Sequence, residues 1–236
     1  MTRDGCGPDV SRRRLLALSG AGTLAALSGC SGILPGETTP TVDADALAEI
    51  VGDDAPTVPR TLPVDVEASF VAEQRTVAES DLDAVPAPFD SAAIPNGVIR
   101  ERLNGTYESA VDALDRIDEA ETPYARLGRA TGARVDAREV RAAWRAIAED
   151  LTRSDLLADV PDIRGSIDEL ASRWSYVGGD PVRAVVVHDE IESEIRAARN
   201  WIEADPRASA ERDDNALAVG GLASDHERAR TSVATA

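Results

Sequence analysis

Apolar side chains that return every three or four residues, cut at intervals by proline or glycine, constrain this chain more than any other feature. Between Ile99 and Ile117 they fall at Leu103, Tyr107, Ala110 and Leu114, which is one face of a helix. Upstream, Val64, Val66, Ala68 and Phe70 alternate with polar residues as in an extended lead-in, and Val71, Ala78, Leu82 and Val85 continue at helical spacing. Pro86, Pro88 and Pro95-Asn96-Gly97 separate the two stretches. A stripe of this kind is buried only by laying one helix against another.

The same reading continues downstream. Thr122-Pro123 is an N-cap followed by proline at the first helical position, and Asp136 with Glu139 forms a capping-box-like pair before Val140, Trp144, Ile147 and Leu151, so two segments are expected there. Pro161 opens a helix whose Ile163, Ile167, Leu170, Trp174 and Val177 share a face, with Gly178-Gly179 as its stop. Asp180-Pro181 starts the next, striped by Ala184, Val187, Ile191, Ile195, Ala198 and Ile202 and closed at Asp205-Pro206. Short breaks favour antiparallel neighbours, so the expected fold is all-α, an antiparallel helical bundle over residues 62–204. Residues 205–236 are weakly patterned; Leu222, Ala229 and Val233 suggest a last helical segment with no stop signal before Ala236, so the chain can be a piece of a longer one. Leu, Ile, Val and Phe make up 52 of the 236 residues. That is close to the roughly 20% at which chains stay disordered, so periodicity rather than composition argues for a fold.

The first 30 residues have a different order. Residues 1–14 carry four Arg and two Asp, residues 15–29 carry no charge, and small residues precede Cys30, which is the layout of a secretory signal peptide. The uncharged run would span only about 22 Å as a helix, short of a bilayer core of roughly 30 Å. Arg12-Arg13, with Ser11 before them and Leu15-Leu16 after, resembles the twin-arginine export signal; Leu15 and Ala17 depart from the Phe and Lys frequent in that family. Leu27-Ser28-Gly29-Cys30 resembles a lipobox, which implies cleavage before Cys30 and a lipid on its thiol. Residues 1–29 are then the signal peptide. Residues 30–61, with Pro35, Gly36, Pro40, Pro56 and Pro59, are a lipid-anchored flexible linker.

Cleavage there would leave 207 residues with 21 Arg, 41 acids, no Lys, no unmodified Cys and a formal charge of −20. A disulfide framework is excluded in that product. Self-repulsion of this size destabilises a compact state at low ionic strength, whereas at 1 M salt the Debye length is about 3 Å and most of it is screened. Taken with the export signal and lipobox, the composition resembles the twin-arginine lipoproteins of extremely halophilic archaea. The resemblance implies export by the twin-arginine machinery and attachment, through the lipid on Cys30, to the outer face of the cytoplasmic membrane. It carries over no active-site residue.

Candidates for chemistry are few. His188 and Glu192 stand at i and i+4 on one predicted helix, the spacing at which two side chains share a metal or ligand; a boundary histidine beside one of many acids is the plainer reading. Glu-x-x-His is absent at both His188 and His226, as are a Gly-x-Ser-x-Gly elbow and any lysine for a Schiff base or phosphate loop. Asn104-Gly105-Thr106 is a glycosylation sequon, with Asn104 as the acceptor. The excess of acid disfavours nucleic acid, and no cofactor is expected. The expected function is a lipid-anchored extracellular helical module, not an enzyme, with an interaction or structural role toward a cell-surface protein partner. The alternative is a solute- or metal-binding surface lipoprotein whose site lies between helices near His188 and Trp201.

Overall fold

A computed structural model describes residues 61–62, 64–203 and 215–236; the expected signal peptide, nearly all of the expected linker, Arg12, Arg13, Cys30 and the Asp205-Pro206 break lie outside them. Every regular element among the described residues is helical. There are six long helices: α1 (Ala68–Asp83), α2 (Gly97–Asp115), α3 (Pro123–Ala148), α5 (Val160–Arg173), α6 (Pro181–Glu203) and α7 (Ala216–Thr235). A single turn, α4 (Arg153–Leu157), links α3 to α5, and a 3₁₀ turn (Ile117–Glu119) follows α2. The expected all-α bundle is what the chain forms.

Local chemistry sets most of the helix starts. Asn96 accepts from the amides of Val98 and Ile99, Thr122 from that of Ala125, and Asn215 from that of Ala218, each satisfying donors that a first turn leaves open. Thr152 and Asp155 form a reciprocal capping box at α4. Asp180 Oδ1 accepts from the amides of Val182 and Arg183, as expected for a cap before Pro181. Glu67, immediately before α1, is extended, as expected of the lead-in.

Two expectations are corrected. Residues 123–148 form one continuous helix rather than two, because nothing between Gly132 and Ala148 breaks it. Asp136 is not a cap but an interior residue of α3. The helix expected to reach Val177 stops at Arg173, where Trp174 turns extended, so Trp174 to Asp180 form a connection.

The helices run up and down in chain order. Leu103 of α2 meets Val140 and Ala143 of α3, while Ala110 meets Ala133 and Ala137, so α2 descends along α3. On the far side Ile163, Ile167, Ile195, Ala198, Ile202 and Ala229 pack α5, α6 and α7 together. The two halves join where α7 lies antiparallel on α3, the most extensive helix contact of the fold. The bundle therefore does not end at residue 204; α7 is its inner element. The seam is made of small residues. An added Cβ on Gly220 would stand 2.8 Å from the Glu139 carbonyl oxygen and 3.0 Å from the Ala143 Cβ, so the two backbones approach at a distance only glycine allows.

The connection from Ala84 to Asn96 is tucked in by Phe89 and Ile94, both buried against α2 and α3. Asn104 holds it: its side-chain oxygen accepts from the Phe89 amide at 2.8 Å and its nitrogen donates to the Phe89 carbonyl at 3.0 Å. The nitrogen that a glycan would take on the sequon is thus a hydrogen-bond donor within the fold.

Gly220→Ala is expected to destabilise the protein by about 1–3 kcal/mol through overpacking. Gly105→Ala, inside α2 with open space where the Cβ would go, is expected to stabilise it by roughly 0.5–1 kcal/mol. Urea unfolding of both variants in the same buffer checks the pair.

Candidate functional site

Charge is buried in the seam. Arg134, Arg138 and Arg141 recur along α3, and between them sit the fully buried acids Asp81 of α1 and Glu227 of α7. Arg134 donates to Glu227 and, at 2.7 Å, to the buried Gln74 side-chain oxygen. Arg141 donates to Asp81, and Arg138 Nε stands 3.0 Å from Asp81 Oδ2 without hydrogen-bond alignment, a Coulombic contact. Arg230 continues the chain from Glu227 to Asp159, the latter at 2.7 Å. Each buried acid is held by more than one guanidinium, as burial of a carboxylate requires. The arrangement ties α1, α3 and α7 together, with both acids closed off from solvent. Its sequence signal is that Arg134, Arg138 and Arg141 share the side of the helix taken by Ala130, Ala133 and Ala137.

A second charged group lies further along the seam. Burial pushes the carboxyls of Asp136, Glu139 and Asp225 above the usual range, with Arg228 pulling all three back and Arg102 also lowering Asp136 and Glu139. Beside it a groove of about 340 Å³ runs between α3, α6 and α7, lined by Tyr124, Thr131, Ser232 and Trp201 among others. The Arg228 guanidinium lies 4.7 Å above the Trp201 ring. Tyr124 donates to Glu190 at 2.5 Å, and burial together with that carboxylate raises its hydroxyl.

His188 sits elsewhere. It is buried in α6, stacked on Tyr176 with ring centroids 4.0 Å apart and edge-on to Trp174 at 5.4 Å. Its Nε2 lies 3.1 Å from the Val177 amide nitrogen and 2.9 Å from the Val177 carbonyl oxygen, which fixes the Trp174–Asp180 connection over the start of α6. Among the described residues its Nδ1 has no hydrogen-bond partner, nor has Trp174 Nε1, and both atoms are buried. Both rings line a cleft of about 630 Å³ whose apolar wall comes from Val64, Leu170, Val187 and Ile191 and whose exposed charges are Arg173, Arg183 and Asp180. That volume falls within the range of small-molecule pockets.

The expected pairing of His188 with Glu192 is not formed. Glu192 is exposed, while His188 points its contacts at Trp174, Tyr176 and Val177. Trp201 belongs to the other groove, 13 residues along α6 and so about 20 Å from His188. Among the described residues no group of three His, Cys, Asp or Glu side chains is placed to hold a metal ion. The break after Arg173 carries no strong stop signal before Gly178, so the sequence pattern runs Trp174 and Val177 on as helix where the chain forms a connection.

Residues 69–236, which span these helices, match one described protein family, a domain of unknown function. The chain belongs to the DUF8262 family. The seam, the buried acids, Trp174 and His188 all lie inside the DUF8262 domain, and Arg12, Arg13 and Cys30 lie before it. No curated protein and no solved structure matches the chain.

Two outcomes follow from the buried charges of the DUF8262 domain. Glu227→Ala leaves Arg134 and Arg230 facing an empty site and is expected to cost about 3–5 kcal/mol, whereas Asp118→Ala, which removes an exposed partner of Arg75, is expected to stay within roughly 0.5 kcal/mol; denaturant midpoints at equal slope distinguish them. Burial first, and Arg230 second, push the His226 imidazole below its usual value against the pull of Asp159 and Glu227. The unfolded chain then binds the proton more readily, so stability falls as pH drops below about 6.5 and levels off under the lower native value. Thermal unfolding followed from about pH 7.5 to about pH 5.5 is expected to show a flatter dependence in His226→Gln than in the parent.

Proposed function

We propose that the chain is an exported, lipid-anchored surface protein whose DUF8262 domain is a binding module rather than an enzyme. The address rests on the sequence: Arg12-Arg13 before an uncharged run, small residues at 28 and 29, and Cys30, followed by a proline-rich linker of about 30 residues. No described helix is long and apolar enough to cross a membrane. A lipid on Cys30 therefore supplies the attachment in this reading, and stable anchoring takes more than one acyl chain. The acidic, Lys-free composition supports a molar-salt exterior.

The observation that carries the binding role is the cleft beside His188, a cavity of about 630 Å³ with largely apolar walls. Such a domain presents a site at the membrane surface and needs no moving part.

In a host with twin-arginine export, the parent protein is expected in the membrane fraction with the mobility of a processed lipoprotein. Cys30→Ser is expected to shift it to the unprocessed form or release it to the medium, and Arg12→Lys with Arg13→Lys to retain it inside. Unchanged fractionation and mobility in Cys30→Ser removes the lipoprotein assignment.

A further inference from the structure

We infer that one end of the bundle rests on the lipid surface, with Tyr176, Val177 and Val185 in the interfacial layer of the membrane. This contact presupposes the lipid anchor proposed above and adds to it a face of the domain. First, large apolar side chains gather in the open at this end. Tyr176, Val177 and Val185 are 58%, 69% and 57% exposed. They are neighbours around one imidazole: Val185 stands three residues before His188 on the same side of α6, while the His188 ring stacks on Tyr176 and meets the Val177 backbone. Apolar residues exposed singly are ordinary, whereas a group of them marks a contact. A tyrosine beside valines suits the boundary between headgroups and hydrocarbon, where the ring is covered and the hydroxyl stays wet.

Second, buried groups hold these side chains where they are. His188 is itself buried, and its ring lies 4.0 Å from that of Tyr176 with Nε2 3.1 Å from the Val177 amide nitrogen. Gly178 is pressed so closely on α6 that an added Cβ would stand 2.6 Å from the Ala184 Cβ. The connection is thereby fixed with Tyr176 and Val177 facing solvent.

Third, the chain coming from the anchor enters the domain at this end. Val64, just after the expected linker, lines the cleft beneath the same connection, and so does Ala236 at the end of α7. Because α7 is antiparallel to α3, the start of α2 beside the last turns of α3 lies at the other end, and the 26 residues of α3 put about 39 Å between the two. A lipid on Cys30 therefore keeps the end with the apolar group nearer the membrane. Tethering makes the second contact intramolecular, so a small group suffices, and it supplements an acyl chain that alone holds only marginally. In molar salt the repulsion between an acidic chain and charged headgroups is screened within about 3 Å, and an apolar contact does not depend on charge.

The test uses the processed protein, extracted with its lipid and reconstituted into phosphatidylcholine vesicles in molar salt. With Cys6 removed and Cys30 lipidated no other thiol competes, so Val177→Cys, Val185→Cys and, at the far end, Val98→Cys, which replaces a residue 74% exposed, each take one fluorescent label. The expected result is severalfold stronger quenching by a nitroxide on the lipid acyl chain at 177 and 185 than at 98, and the reverse order with acrylamide in the water. In Val177→Cys, the added changes Tyr176→Ser and Val185→Ser are expected to remove that difference; its persistence assigns the proximity to the tether and overturns the role of the apolar group. Labels at 177 and 185 that acrylamide reaches as fully as at 98, and the nitroxide does not, overturn the contact while flotation of the protein with the vesicles upholds the anchor. Protein that does not float overturns both readings. Protection from acrylamide without any response to the nitroxide, growing with protein density in the vesicles, gives the face to a second copy and overturns the lipid contact.

Discussion

The approach of α7 to α3 is the contact on which the other packing depends. At Gly220 the backbones come close enough that a methyl group would meet the Glu139 carbonyl, and at that separation Ala143, Val219 and Ala223 fill the space between them. The same closeness brings Glu227 within reach of Arg134 and Arg138, and Asp81 of α1 joins from the side. Small residues and buried ion pairs are two halves of one arrangement. With larger side chains in the seam the charges would separate, and with the charges unpaired the desolvation cost would outweigh what so few methyl groups contribute.

That arrangement also explains how a chain poor in large apolar residues folds. The core holds many alanines and few aromatics, so each helix buries little area by itself. Arginine is suited to compensate. Its guanidinium stays charged throughout the accessible pH range and presents several donors in a plane, which allows one acid to bridge two or three of them. A lysine in the same place would present a compact, strongly hydrated charge and is absent from the chain altogether.

The sequence made the helices legible and left their partners hidden. Thr122 and Asp180 announce helix starts because capping is local chemistry, and the stripe from Ile99 to Ile117 is visible because its residues are large. Asp136 misled for a physical reason: a carboxylate suited to a cap is also suited to lie beside Arg228 across the seam, and only the tertiary fold tells the two apart. In α7, Ala216, Gly220, Ala223, Ser224 and Ala229 are buried, but so little hydrophobic contrast separates its inner and outer faces that the pattern looked weak. At the cleft, the i, i+4 spacing of His188 and Glu192 says nothing of Tyr176 and Val177, which the fold brings to the imidazole instead. Trp174 was assigned to the core because its position on the stripe is right, and it is the chain's turn out of the helix there that gives the ring a second surface.

The place of α7 has a bearing on time as well as on space. As the chain leaves the ribosome, α1, α2 and α3 can associate early, but Arg134 and Arg138 must wait for Glu227, more than 80 residues later. At about 5–20 residues per second that interval lasts several seconds, during which the inner face of α3 is uncovered. The pairing of α3 is completed only once α7 has been made, so maturation of this part of the fold waits on a helix far downstream of the partners it joins.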